Sequence, residues 1–335
     1  MATIQDVAKR AGVAPITVSR FINNSGYCSQ ETRARVEAAI AELGYVPNRL
    51  ASGLRSKRTN TLALVLTDIT NPFFTTIARG VEDTASDAGY TVVFCNTDES
   101  LSEEQKYLQM LLEQQVDGIV LVPALSTHES VAFIQGHNTP IVVLDRRISG
   151  IKADVVRCDS EKGAYELTRL LISLGHRYIA ILSGPKGTST AEDRVTGSHR
   201  ALVEANLECS AGQEYYGSFT QVSGVEMARQ AMASNPRPTA IFAANNFIAI
   251  GAVKSLRELG VRVPEDVAMV SFDDLPTGLI ISPFLTVAAQ PAYEMGCKAT
   301  ELLLARLSGE APSEFQEIIL PAEIVIRQSS GQVIG

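Results

Sequence analysis

The groups best equipped for chemistry in this chain are acids, amides and arginines that stand just after short apolar runs. Asp68 follows "TLALVLT", Asn96 and Asp98 follow "TVVFC", and Asp145 and Arg146 follow "PIVVL". Asn245 follows "AIFAA", Asp273 follows "VAMVSF", and Arg194 falls at the start of a helical stretch. One acid after a strand is most often a helix cap. Several that converge on one place, with guanidinium groups among them, can hydrogen-bond adjacent hydroxyls in two-pronged fashion, which suits a polyhydroxylated ligand. Catalytic signals are missing: there is no GxxxxGKS/T, GxSxG, HExxH or GxGxxG, and "SGPKGT" lacks phosphate-loop spacing. His128, His137, His176 and His199 have no metal-ligand spacing. No enzyme, metal or cofactor is expected.

The elements that must position these groups are seven Val/Ile/Leu-rich runs: "TLALVLTD", "TVVFCNTD", "GIVLVPA", "PIVVLDR", "YIAILSG", "AIFAAN" and "VAMVSFDD". Continuous apolar runs separated by helix-length segments imply parallel strands buried on both faces. The series occurs twice, with a break near Arg157 to Glu161, which predicts two similar doubly wound α/β lobes. In open parallel sheets ligands bind at the carboxyl ends of the strands, where these polar residues stand.

Charge is divided unevenly along the chain. The formal net charge is -8, yet residues 1–60 hold nine Lys/Arg against four acids, and the remainder holds 20 against 33. A basic segment on an acidic body points to a nucleic-acid partner for the first part only. Five widely spread cysteines without a CxxC read as reduced thiols. No apolar run approaches the roughly 18–20 residues of a membrane span, and a cytoplasmic location is expected.

Within the basic segment, Thr3 caps a helix that buries Ile4, Val7, Ala8 and Ala11 and stops at Gly12. Pro15 can open a second helix, with Val18, Phe21 and Ile22 inward and Ile16, Thr17, Ser19 and Arg20 outward. A third runs from Ser29 to about Leu43, with Thr32, Val36, Ala39, Ile40 and Leu43 inward and Gly44 at its end. Two short helices joined by a tight turn, then a supporting helix, are what a helix-turn-helix needs. A generic three-helix interaction domain is the plain alternative.

"ATIQDVAKRAGVAPITVSRFIN", "ETRARVEAAIAELGYVPNRLASGLRS" and "TNTLALVLTDITNPFF" closely resemble the Lac repressor (LacI/GalR) family of bacterial regulators. The resemblance continues through "LGHRYIAILSGP", "RVTGSHRAL", "AIFAANN" and "VPEDVAMVSFDD", so it covers nearly the whole chain. It implies a helix-turn-helix DNA-binding domain at 1–47, a hinge helix or linker at 48–58, and an effector-binding and dimerisation domain at 59–335. The body would divide into an N-subdomain of about 61–158 and 291–320 and a C-subdomain of about 159–290 and 321–330.

The same resemblance assigns roles. Pro15, Ile16 and Arg20 take the base-reading positions, Arg20 suited to a bidentate guanine contact and Pro15 and Ile16 to apolar contact. Thr3, Thr17, Ser19 and Asn23 are phosphate-side donors. The hinge carries Leu54, which wedges into the minor groove, with Arg49 and Arg55 beside it. The partners implied are a pseudo-palindromic operator and a second copy of the chain. In the body, Asn71, Phe73, Phe74, Asp145, Arg146, Arg194, Asn245, Asp273 and Gln290 look like the ligand positions of periplasmic ribose-binding proteins, with Phe219 as a further wall and Asn96 among the strand-end groups. A pentose, ribose first, is the expected effector of a repressor of sugar-catabolism genes. A hexose, a sugar acid, a purine or nucleoside, or a phosphoprotein partner are the alternatives, and Arg147 beside Arg146 keeps an acidic ligand in play.

Overall fold

The computed structural model describes residues 2–22, 26–46, 58–207, 213–275 and 284–331. The chain forms two units, Met1–Thr59 and Asn60–Gly335. In the first, α1 (Ile4–Ala11) begins at a reciprocal cap: the Thr3 hydroxyl accepts from Asp6 N–H, and Asp6 Oδ2 accepts from Thr3 N–H at 2.8 Å. Gly12 ends it with φ +66°, a conformation costly for any residue with a Cβ. Helix α2 (Pro15–Ile22) follows the turn, and α3 (Gln30–Leu43) starts at the Ser29 cap and stops at left-handed Gly44. Their core is Val7, Ala8, Ala11, Val18, Val36 and Ala39, edged by Phe21, Ile22, Ile40 and Leu43. Arg35 on α3 donates to the Ala11 and Gly12 carbonyls at 3.0 Å each, satisfying the end of α1 where the turn begins.

The second unit is two six-stranded sheets with helices on their faces. The first lobe comprises β1 (Thr61–Leu66), α4 (Pro72–Asp87), β2 (Thr91–Asn96), α5 (Leu101–Glu113), β3 (Gly118–Leu121), α6 (Glu129–Gly136), β4 (Ile141–Leu144) and β5 (Asp154–Cys158). The second comprises α7 (Ser160–Ser173), β6 (Ile179–Ser183), α8 (Ser189–Glu204), β7 (Glu214–Tyr216), α9 (Gln221–Ala233), β8 (Ala240–Ala243), α10 (Asn246–Glu258), β9 (Ala268–Phe272) and β10 (Thr286–Ala289). The chain then returns to the first lobe for α11 (Ala292–Ser308) and β11 (Glu317–Leu320), and ends in the second with β12 (Glu323–Val325). The sheet orders are β11-β5-β4-β3-β1-β2 and β12-β10-β9-β8-β6-β7. Every pairing is parallel except β10 with β12.

Seven strands were expected and all seven form. The structure adds β5, β7, β10, β11 and β12, and β5 runs into the stretch read as the break. Charge explains why β5 escapes an apolar scan. Asp154 is fully buried but held by Arg306 at 2.7 Å, and Arg157 is paired with Glu317 of β11 at 2.6 Å. Strands β7 and β12 have three residues each, and β10, β11 and β12 lie after the last segment of clear periodicity. The lobes therefore share three crossings, after β5, after β10 and after β11.

Candidate ligand-binding crevice and DNA-reading face

The carboxyl ends of both sheets meet at a cavity of about 260 Å³. Strand β1 delivers Thr67 and Asp68 to it, the β2–α5 turn delivers Asp98 and Glu99, and the end of β4 delivers Asp145 and Arg146. From the second lobe come Thr190 and Arg194 on α8, Ser218, Phe219 and Thr220 after β7, Asn245 after β8 and Asp273 after β9. Gln290 arrives from the β10–α11 crossing and Asn71, Phe73 and Phe74 from the start of α4.

The two principal carboxylates are presented in the same way. Asp145 has φ +68° and Asp273 φ +64°, and each ties its N–H to the neighbouring strand, to Val156 O at 2.8 Å and Ala288 O at 3.0 Å. Left-handed backbone at a non-glycine residue is held by its surroundings and concentrates where a side chain must be aimed. Here it turns both carboxylates off the strand ends into the crevice. Burial pushes the Asp145 carboxyl up to about 6, with Arg194 and Arg146 opposing and Asp273 and Glu99 adding to the rise. Burial also raises Asp273, against the pull of Arg194 and a 2.6 Å hydrogen bond from Gln290. Asp145 Oδ1, Arg146 Nε, Arg194 Nε and Gln290 Oε1 are buried without a hydrogen-bond partner among the described residues. Buried groups left unpaired at a cavity wall are what a hydroxylated ligand would satisfy.

The apolar walls have a dual character. Phe73 and Phe74 are 7% exposed, meet edge to face with centroids 5.0 Å apart, and belong to the first lobe's core as well as to the cavity. Phe219 lies against Gly184, where a Cβ would stand 2.2 Å from its ring, so only glycine admits this wall.

Not every expected residue faces the cavity. Asn96 does not line it: its Oδ1 accepts from Ile69 N–H and its Nδ2 donates to Asp98, both at 2.7 Å, so it braces the wall. Arg147 is also outside, paired with Asp193 of α8 at 2.7 Å, which removes it as an anchor for an acidic ligand. Asn71 lines the cavity, but its amide is committed to Phe73 N–H and to a reciprocal pair with Asn246 across the crevice at 3.0 and 3.1 Å.

Five lining groups escaped sequence reasoning: Thr67, Glu99, Thr190, Ser218 and Thr220. Glu99 could have been found, since it follows Asp98 at a strand end. Glu104 supports the wall from behind. This buried carboxylate accepts from Ala124 N–H at 2.5 Å and from the Ser130 hydroxyl, and burial raises it above the usual range. The Pro123 and Ala124 carbonyls of that same loop hold Arg146 Nη1.

In the first unit, Pro15, Ile16 and Arg20 are exposed along one side of α2, with Ile16 49% exposed, while Val18 is buried. Thr17 and Ser19 are half-buried and Thr3 is exposed. An apolar pair and a guanidinium on the open face of the second helix suit base edges in a major groove. Asn23, Arg49, Leu54, Arg55 and most of the expected hinge lie outside the described residues.

A helix-turn-helix unit followed by a two-lobed α/β body with a polar crevice defines a ligand-responsive DNA-binding regulator. Residues 3–48 match the family described as bacterial regulatory proteins, lacI family, and residues 59–325 match periplasmic binding proteins and sugar binding domain of LacI family. The chain belongs to the LacI family: it is a DNA-binding transcriptional repressor with a small-molecule effector site, not an enzyme. It is 37% identical to the ribose operon repressor of Halalkalibacterium halodurans, over 98% of this chain and 97% of that one. It is 34% identical to the transcriptional repressor PurR of Photobacterium profundum, over 98% of each chain. The Lac repressor dimer bound to operator and the anti-inducer ONPF superposes with a TM-score of 0.85 at 29% identity, covering 98% of this chain and 99% of that one. A LacI family regulator from Enterococcus faecium with bound ribose gives 0.72 at 30% identity, covering 80% and 98%.

Proposed function

We propose that this repressor binds a neutral monosaccharide, ribose or a close pentose, between its lobes, and that it reads operator DNA as a homodimer. The crevice carries the ligand proposal. Its carboxylates accept from hydroxyls, its guanidinium edges donate, and its phenylalanines cover the C–H face of a small ring. About 260 Å³ falls below the roughly 300–1,000 Å³ of sites for drug-sized ligands, which favours one sugar ring over a disaccharide. The ribose named for the Enterococcus faecium structure and for the Halalkalibacterium halodurans repressor agrees.

In this reading Pro15, Ile16 and Arg20 contact bases, and Thr3, Thr17, Ser19 and Asn23 contact phosphates. Arg49, Leu54 and Arg55 act in the minor groove, and residues 1–47, 48–58 and 59–335 work as reader, hinge and effector domain. Two readers on a pseudo-palindromic operator require two-fold symmetry, as in the Lac repressor dimer. Calorimetric titration of the full chain with ribose, other pentoses, hexoses and purine bases tests the effector. Saturable binding of ribose or another pentose, with a change in operator affinity, is the expected result. Preference for a purine would move the chain to the PurR reading.

A further inference from the structure

The protein itself engages the two crevice arginines to different extents, Arg194 through one hydrogen bond and Arg146 through three. Arg194 donates Nη1 to Ala244 O at 2.7 Å, lies over the Phe272 ring at 4.0 Å, and stands 3.9 Å from Asp273. Arg146 donates Nη1 to the Pro123 and Ala124 carbonyls at 2.7 and 2.6 Å, and Nη2 to Glu99 at 2.5 Å. Only its Nε is buried without a partner.

That allocation decides what Arg146 can offer a ligand. Carboxylates and phosphates are gripped by two parallel N–H donors of one guanidinium, and the Nε–Nη2 edge is one such fork. Glu99 accepts from Nη2 and offsets the local charge. It is held there at some cost, since Asp98 and Glu99 are consecutive non-glycine residues with φ +49° and +58°. Among the described lining residues, five carboxylates (Asp68, Asp98, Glu99, Asp145, Asp273) face two guanidiniums.

We infer that Glu99 is a specificity-determining residue that excludes anionic sugars by capping Arg146 Nη2 and balancing its charge, leaving the unpartnered Nε for a neutral hydroxyl. The inference rests on the sugar reading of the crevice and adds a charge rule to it. Sugar acids and sugar phosphates are rejected because Nη2 is already shared with a carboxylate and the wall around it is negative. A free hydroxyl tolerates both, since it needs one donor and one acceptor.

The test compares full-length parent, Glu99→Gln and Glu99→Ala by calorimetry with D-ribose, D-ribonate and D-ribose 5-phosphate. Thermal unfolding verifies that each variant is folded. The readout is the ratio of anion affinity to ribose affinity, so a general weakening of the site cancels. The ratio should rise about tenfold or more in Glu99→Gln, on removal of one unit charge from a partly buried wall. It should rise further in Glu99→Ala, which also frees Nη2. Asp98→Asn removes a charge from the same turn without releasing a guanidinium donor, and its ratio should move much less. If Asp98→Asn matches Glu99→Gln, bulk charge rather than the cap sets selectivity and the inference falls. If the parent binds ribose and both Glu99 variants keep the parent's ratio, the inference alone is overturned. A folded parent that binds no neutral sugar overturns the sugar reading and this inference with it.

Discussion

Replacing Asp145 by asparagine should stabilise the protein and weaken its hold on the effector, each with its own pH signature. The carboxyl is fully buried and pushed from its ordinary value of 3.8 to about 6, chiefly by loss of solvent. A difference of about two units at about 1.4 kcal/mol each makes the ionised group cost the fold about 3 kcal/mol at neutral pH. The amide is neutral but still needs partners, so a gain of about 1–3 kcal/mol is expected, or about 2–6 °C in Tm for a unit of this size. The sign follows from linkage. The folded state holds the proton more tightly than the unfolded chain, so this contribution is fully present below about pH 4 and is lost as pH rises through about 6. The stability gap between variant and parent should therefore be small at pH 4, open between 4 and 6, and stay constant above.

Effector binding should show the opposite trend. If the ionised carboxylate accepts from ligand hydroxyls, parent affinity falls as pH drops below about 6, and the slope through that range is shallower in the variant. Scanning calorimetry from pH 4 to 8 and effector titrations at pH 5.5 and 7 measure both. A variant less stable than the parent at pH 7, or one with the parent's pH slope in binding, would refute the placement of Asp145 as an unpaired charge awaiting a ligand.

Arg20→Ala should cost about 1–3 kcal/mol at one operator base pair and relax preference there, measured on operators changed one position at a time; equal loss on random DNA would make Arg20 a phosphate contact. Asp273→Ala and Arg146→Ala should abolish effector response while operator binding without effector persists, read from operator retention against effector concentration. If both respond like the parent, the crevice is not the effector site. Arg147→Ala should weaken effector binding a few-fold although Arg147 lines no part of the cavity, because its pair with Asp193 is partly exposed, 42% and 15%, and such pairs contribute about 1 kcal/mol or less. An unchanged Kd would show that the pair does not favour closure.

How much of this was legible in sequence depended on how local the signal was. Thr3, Gly12, Ser29 and Gly44 fix the starts and stops of α1 and α3 through contacts within a few residues, and each appears as expected. The buried strands were visible because both faces are covered, which writes an uninterrupted apolar run. Strand β5 was hidden because Arg306 arrives from 152 residues away to neutralise Asp154. The same limit applied at the crevice. Strand-end position identified Asp145, Arg146 and Asp273 as a set. It could not say that Arg146 is half consumed by Glu99 and two carbonyls, or that Arg147 turns to Asp193 instead.

The crevice also shows why a small molecule can govern its closure. Four pairings cross between the lobes without needing a ligand. Ser189 N–H donates to the Ser126 hydroxyl at 2.9 Å, Arg147 N–H donates to the Ser189 hydroxyl at 2.8 Å, Arg147 pairs with Asp193, and Asn71 pairs with Asn246. At about 0.5–1.5 kcal/mol each they favour the closed arrangement by a few kcal/mol. Against them stand the buried unpaired edges of Asp145, Arg146, Arg194 and Gln290. The two sets act in opposite directions on an equilibrium between open and closed lobes. A ligand moves such an equilibrium only through contacts that differ between the two states. In the proposed reading those contacts would be the unpaired groups themselves, which line the crevice from both lobes. The second turn of α8 joins the two sets, since Asp193 serves the rim and Arg194 the cavity. A hydroxyl bound at Arg194 and an ion pair at Asp193 therefore pull on the same helix end.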